Sequence, residues 1–183
     1  MTTEGLLQSF LKQLEIRLQE IEDRHDYLSF LIEKRFANEK LLQLETMHII
    51  SQNPEVVDYL PEKLYDSESK EKCDFWFKIR NGIEFWMEIK TRPTNYRKLG
   101  HAKAITNGAD QVIQDVQRMK SVTGANIRRL VLFAFYPIYS DSYDTFNKVH
   151  LQRISHEIGK NVKCPKIQIK IGQADFNLYF EEF

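Results

Sequence analysis

Two aromatic-rich runs joined by Arg80-Asn81-Gly82 constrain this chain more than any other feature. The stretch KCDFWFKIRNGIEFWMEIKT, Lys72 to Thr91, reads as two strands folded round a turn. Side chains alternate faces along a strand, so a one-residue slip exchanges the partners on both faces. Two loops fit the turn: a two-residue Asn81-Gly82 loop, or a three-residue loop with Gly82 at the left-handed position of a bulge. The three-residue loop pairs Ile79 with Ile83, Phe77 with Phe85, Phe75 with Met87 and Cys73 with Ile89, an apolar face throughout. Its other face pairs Lys78 with Glu84, Trp76 with Trp86 and Asp74 with Glu88, with Lys90 two residues on. The two-residue loop sets Phe75 against Glu88 and Lys78 against Phe85. The apolar pattern therefore selects the three-residue loop.

This register opposes two carboxylates. Like charges directly across a strand pair cost roughly 0.2–1 kcal/mol, and more where aromatic neighbours exclude water. A positive charge belongs between Asp74 and Glu88. Lys90 is one candidate. A divalent ion is the other, since hard carboxylate oxygens suit Mg²⁺ or Mn²⁺. Set against this, an exposed ion cluster on a strand face would look the same in sequence.

The rest of the chain supplies an α/β context. Leu7, Leu11, Leu14, Leu18, Ile21, Leu28 and Ile32 recur in steps of three and four, interrupted by His25. They predict a long N-terminal helix that either packs on its own domain or pairs with a second copy as a homodimer, and Asp23 and Asp26 could break it. A second helix is expected from about Phe36 to Ser51, then an irregular or short-strand segment, VVDYLPEKLYD. After the hairpin come the basic loop TRPTNYRKLGHAK, an amphipathic helix in GADQVIQDVQRMKSV, and RRLVLFAFYPI, apolar on both faces and hence a central strand. A helix from Asp144, a plausible N-cap, to Gly159 and two edge-type strands, KIQIKIG and FNLYFEEF, complete the order.

A length of 183 residues suits one domain. Lys plus Arg and Asp plus Glu both number 26, which argues against a blanket electrostatic binder and leaves room for a local basic patch. The longest apolar run, Leu130 to Tyr139, is too short to span a bilayer, so no membrane partner is expected. The N-terminus lacks the pattern of a signal peptide. Cys73 and Cys164 form no CxxC pattern, and the histidines show no HExxH spacing. A reducing, cytoplasmic setting follows.

Asp74, followed on the next strand by Glu88-Ile89-Lys90, resembles the signature of the PD-(D/E)XK nuclease superfamily. The resemblance covers roughly residues 36–136, with Cys73 standing where the motif's name has proline. It implies a restriction-endonuclease-like mixed sheet flanked by helices. Residues 1–35 would be a helical extension, 36–136 the nuclease core, and 137–183 a C-terminal helix and strands. It also implies a Mg²⁺- or Mn²⁺-dependent nuclease that hydrolyses phosphodiester bonds, DNA favoured. Asp74 and Glu88 would hold the ion, the Ile89 carbonyl would complete its shell, and Lys90 would position the attacking water or stabilise charge on the phosphate.

Such nucleases tend to add a glutamate from the preceding helix. Glu39 and Glu45 are both available, with Glu39 preferred and Glu62 a weaker third. Gln111 resembles a glutamine some members carry on the next helix, although an ordinary surface glutamine fits as well. Arg92, Arg97, Lys98, His101 and Lys103 would meet flanking phosphates, and Tyr96 could stack on a base or sugar. The alternative is a catalytically inactive nuclease-fold module that binds nucleic acid or a partner.

Overall fold

The computed structural model describes residues 2–35, 37–65, 70–96 and 105–183. It is an α/β structure in which a six-stranded mixed sheet lies between two layers of helices. The N-terminal layer holds α1 (Thr3–His25), α2 (Tyr27–Lys34) and α3 (Glu39–Ser51). The strands are β1 (Val56–Pro61), β2 (Phe75–Ile79), β3 (Glu84–Pro93), β4 (Ile127–Tyr139), β5 (Ile167–Ile171) and β6 (Ala174–Glu182), in spatial order β1-β2-β3-β4-β6-β5. Among the described strands only β3 and β4 run parallel, linked by α4 (Ile105–Met119) across one face. A second helical segment packs beside α4. It comprises a 3₁₀ turn (Ser140–Ser142), α5 (Tyr143–Thr145), a π-helical stretch (Phe146–Leu151) and α6 (Gln152–Ile158).

The N-terminal helix is broken where its acids allowed. Asp26 adopts a left-handed conformation (φ +49°), and its N–H caps α1 by donating to the Glu22 carbonyl. The Glu22 carboxylate then accepts from the N–H groups of Leu28 (2.7 Å) and Ser29 (3.0 Å), satisfying the start of α2. Leu14, Leu18 and Leu28 are buried in this chain's own core together with Leu6 and Phe10. The leucine seam therefore packs on its own sheet, and Ile16, half exposed, lies on the outer side. α3 is a separate helix capped by Asn38, whose Oδ1 accepts from the Leu41 N–H at 3.2 Å.

The hairpin takes the three-residue loop. Gly82 has φ +84°, and the Ile79 N–H donates to the Ile83 carbonyl at 3.0 Å. Phe75 faces Met87, Trp76 faces Trp86, Phe77 faces Phe85 and Lys78 faces Glu84. The Phe75, Phe77, Phe85, Met87 and Ile89 face packs under α1–α3, with the Phe77 and Phe85 rings stacked at 4.5 Å. The Trp76 and Trp86 face lies on the α4 side with Val122.

VVDYLP forms the short edge strand β1, antiparallel to β2, with its register shifted between Val56 and Asp58. Two expectations are corrected. β6 is interior, between β4 and β5, because Phe176, Leu178 and Phe180 fill one face while Asn177 and Tyr179 turn to the other and are also buried. Asp144 lies inside α5 without capping it, since the chain turns helical already at Ser140.

Gly82→Ala tests the register. A Cβ at Gly82 meets no atom within 4 Å, so the cost is purely that of a left-handed backbone. A loss of about 1 kcal/mol is expected, seen as a lower urea midpoint with unchanged slope. An unchanged midpoint would contradict the bulged loop.

Candidate active site

At the end of the hairpin away from Gly82, the β2–β3 ladder stops and side chains take over. The last ladder pair is Phe75 with Met87. Cys73 does not pair with Ile89 as the sequence suggested. Its N–H donates instead to the Lys63 carbonyl at 2.9 Å, drawing the incoming chain away from β3. The Asp74 carboxylate fills the gap: Oδ2 accepts the Ile89 N–H at 2.7 Å, and Oδ1 accepts from Gln43 Nε2 on α3 at 2.7 Å. Asp74 thus joins the sheet to α3 through its side chain, just beyond the end of β2. The N–H and C=O of a strand residue point to the same edge, so the Ile89 carbonyl is also aimed toward Asp74.

Glu88 lies beneath α4 and is only 2% exposed. It accepts a hydrogen bond from the Tyr65 hydroxyl, and Arg118 Nη1 stands 3.7 Å from the same oxygen, Oε1. Tyr65 is held there by stacking on Trp86, with ring centroids 5.8 Å apart. Burial first, then the charges of Asp74 and Asp115, push the Glu88 carboxyl up to about 9.

Lys90 Nζ sits between two acids, 2.9 Å from Glu39 Oε2 and 3.2 Å from Asp115 Oδ2. Burial alone would lower its pKa, but Asp115, Glu39 and Asp74 outweigh that and leave it raised. Asp115 is buried, which lifts its own carboxyl despite Lys90 and Arg118. Arg92 Nη1 reaches Glu39 Oε1 at 2.9 Å, while its Nε donates to Gln111 Oε1.

The structure therefore brings Asp74, Glu88, Lys90, Glu39 and Gln111 to one end of β3. Glu45 lies elsewhere, paired with Arg17 of α1, and Glu62 is an exposed partner of Lys40 (3.6 Å) and Lys72 (3.4 Å). Arg92 points into the cluster, bonded to its acid and amide. The Tyr96 ring packs against the α4-side core with its hydroxyl buried, so little of it is free to stack on a ligand. Arg97, Lys98, His101 and Lys103 lie outside the described residues. Sequence reasoning missed Asp115, Gln43 and Tyr65. The first two had a signal: each lies four residues beyond a candidate, Gln111 and Glu39, and so on the same side of its helix.

The donor set fits a hard divalent cation in chemistry and in charge. Asp74, Glu88 and the Ile89 carbonyl offer oxygen ligands. The carboxylates of Glu39, Asp74, Glu88 and Asp115 outnumber Lys90, Arg92 and Arg118, and Glu88 answers the excess by holding a proton. Among the described residues, however, no three His, Cys, Asp or Glu side chains are already arranged to grip an ion together. Tyr65 holds the Glu88 oxygen that an ion would take.

Comparison of the chain with protein-family models, with curated proteins and with solved structures found no match. No described helix is long and apolar enough to cross a membrane.

The Glu88 environment sets a pH dependence. Its folded pKa, about 9, is above the ordinary glutamate value, so the folded state binds this proton more tightly than the unfolded state. Its contribution to stability is fully present below about pH 4.5 and is lost as pH rises toward 9. Glu88→Gln keeps an acceptor for Tyr65 and removes the titration. In the metal-free protein the variant's melting temperature is expected to gain on wild type steadily from pH 5 to pH 9. Parallel curves would contradict the buried, charge-crowded placement.

Proposed function

We propose that this protein is a metal-dependent nuclease of the PD-(D/E)XK kind, with a restriction-endonuclease-like core, acting on phosphodiester bonds and most readily on DNA. The observation that supports this best is the environment of Lys90. A lysine two residues from a buried glutamate is fixed by Glu39 and Asp115 at one end of β3, beside Asp74.

Asp74, Glu88 and the Ile89 carbonyl would hold Mg²⁺ or Mn²⁺. When bound, the ion supplies Lewis-acid stabilisation of charge on the phosphoryl oxygens. Lys90, with its raised pKa, stays an ammonium and is a poor proton acceptor. Its role is electrostatic: it orients the attacking water and stabilises charge building on the phosphate. Glu39 and Asp115 fix its direction, and Gln43 fixes Asp74 through Oδ1. For Glu88 to ligate through Oε1, the Tyr65 hydroxyl must turn away and the proton must leave.

One observation favours a second reading, a nuclease-fold module that binds without cutting: no ion-gripping trio is preformed among the described residues. A homodimer through α1 would have to use the outer side of that helix, where Ile16 is exposed, because the leucine seam is buried.

Cleavage separates the readings. With Mg²⁺ or Mn²⁺, wild type is expected to cut plasmid or linear DNA, and Asp74→Ala to abolish cutting. Lys90→Met keeps most of the stem packing and is expected to lower the rate by about 10²-fold or more while the protein remains folded. No cutting by wild type, with a melting temperature indifferent to the metal, would sink the nuclease reading.

A further inference from the structure

Beside Asp74, between α3 and the β1–β2 edge, lies a half-open cavity of about 260 Å³. Leu44 and Met47 of α3 face Pro61 and Phe75 across it. Its polar lining is Asp74 with Gln43, hydrogen-bonded at 2.7 Å, and the exposed pair Lys40 and Glu62, 3.6 Å apart. Tyr59, whose ring centroid is 6.2 Å from that of Phe75, extends the apolar wall outward along β1. Leu44, in the cavity lining, is 58% exposed, and Tyr59, beside the lining residue Phe75, is 41% exposed, so two large apolar side chains stand in water along this edge. Single exposed hydrophobics are ordinary, but a cluster around a concave site marks a ligand surface.

We propose that this cavity takes an unpaired nucleobase next to the phosphate that is cut, so that the enzyme acts where a strand is single or frayed. The inference rests on the nuclease reading above. The occupant follows from continuity: Asp74, the carboxylate assigned to the metal, is part of the cavity lining, so whatever fills the cavity adjoins the scissile phosphate. A nucleobase matches the walls, being flat and apolar on its faces and polar only at its edge, where Gln43 and Asp74 lie. Tyr59 offers the stacking surface that sequence-tolerant single-strand binders use. A base within a duplex is stacked on both sides and cannot enter without being unpaired, which costs a few kcal/mol for intact DNA and least where the strand is already open.

The test measures binding in the Lys90→Met background, where cutting is suppressed, with Mg²⁺ present. The probes are a dye-labelled oligothymidine strand and a blunt hairpin duplex of equal charge, followed by fluorescence anisotropy. Replacing both Leu44 and Tyr59 with Ser changes no charge and alters only exposed side chains. It is expected to weaken single-strand binding by about tenfold or more and to change duplex binding by less than about twofold. Equal weakening of both probes, or of neither, overturns the proposal. So does sedimentation showing that the parent is a dimer which the two substitutions dissociate, for β1 would then pair with a second copy. If wild type cuts DNA while the substitutions change nothing, only the base site falls. If the parent binds neither probe and wild type cuts neither, the nuclease reading falls with it.

Discussion

Gly82 at φ +84° holds the β2–β3 loop at three residues, and the parity fixed there decides which side chains meet which helices. With that parity, Phe75, Phe77, Phe85, Met87 and Ile89 fill the core under α1–α3, while Trp76, Trp86, Glu88 and Lys90 turn toward α4. A slip of one residue would drive Glu88 into the apolar core and turn Phe85, Met87 and Ile89 toward α4. The hydrophobic pattern thus fixes the charged cluster as firmly as it fixes the core.

The cluster is held in tension by charge. Lys90 answers Glu39 and Asp115, Arg118 answers Asp115 and approaches Glu88, and Arg92 answers Glu39. Glu88 remains crowded by Asp74 and Asp115 in a place with almost no water, and a proton rather than a cation resolves the conflict. Buried ion pairs of this sort do little for stability relative to apolar packing. Under the proposed function, a glutamate, an aspartate and a lysine kept together at the end of two aromatic strands would serve a bound ion and its substrate.

Much of this was legible in the sequence because short-range periodicity carried it. The hairpin register came from alternation in Lys72 to Thr91, and the central position of β4 from the unbroken apolar run in RRLVLFAFYPI; periodicity did not choose between Glu39 and Glu45, and only the resemblance of Asn38 to Gln43 to the superfamily's helix favoured Glu39. Contacts that depend on how layers stack were not legible. Asp115 reaches Lys90 only because α4 crosses β3, and Tyr65 reaches Glu88 from a loop whose placement no periodicity encodes. Asp74 leaves the ladder because Cys73 bonds to Lys63, a tertiary choice invisible in strand alternation. The strand FNLYFEEF looked like an edge because it alternates and comes late in the chain, yet both its faces find partners.

The acids at the end of the hairpin are proposed to form a cation site. Mn²⁺ binding followed by electron paramagnetic resonance tests it without requiring any substrate. Wild type is expected to remove one or two equivalents of free Mn²⁺ signal, Asp74→Ala to remove none at the same concentration, and Lys90→Met to bind at least as well as wild type, since it sheds a competing positive charge. A free-ion signal that is untouched by wild type would contradict the account.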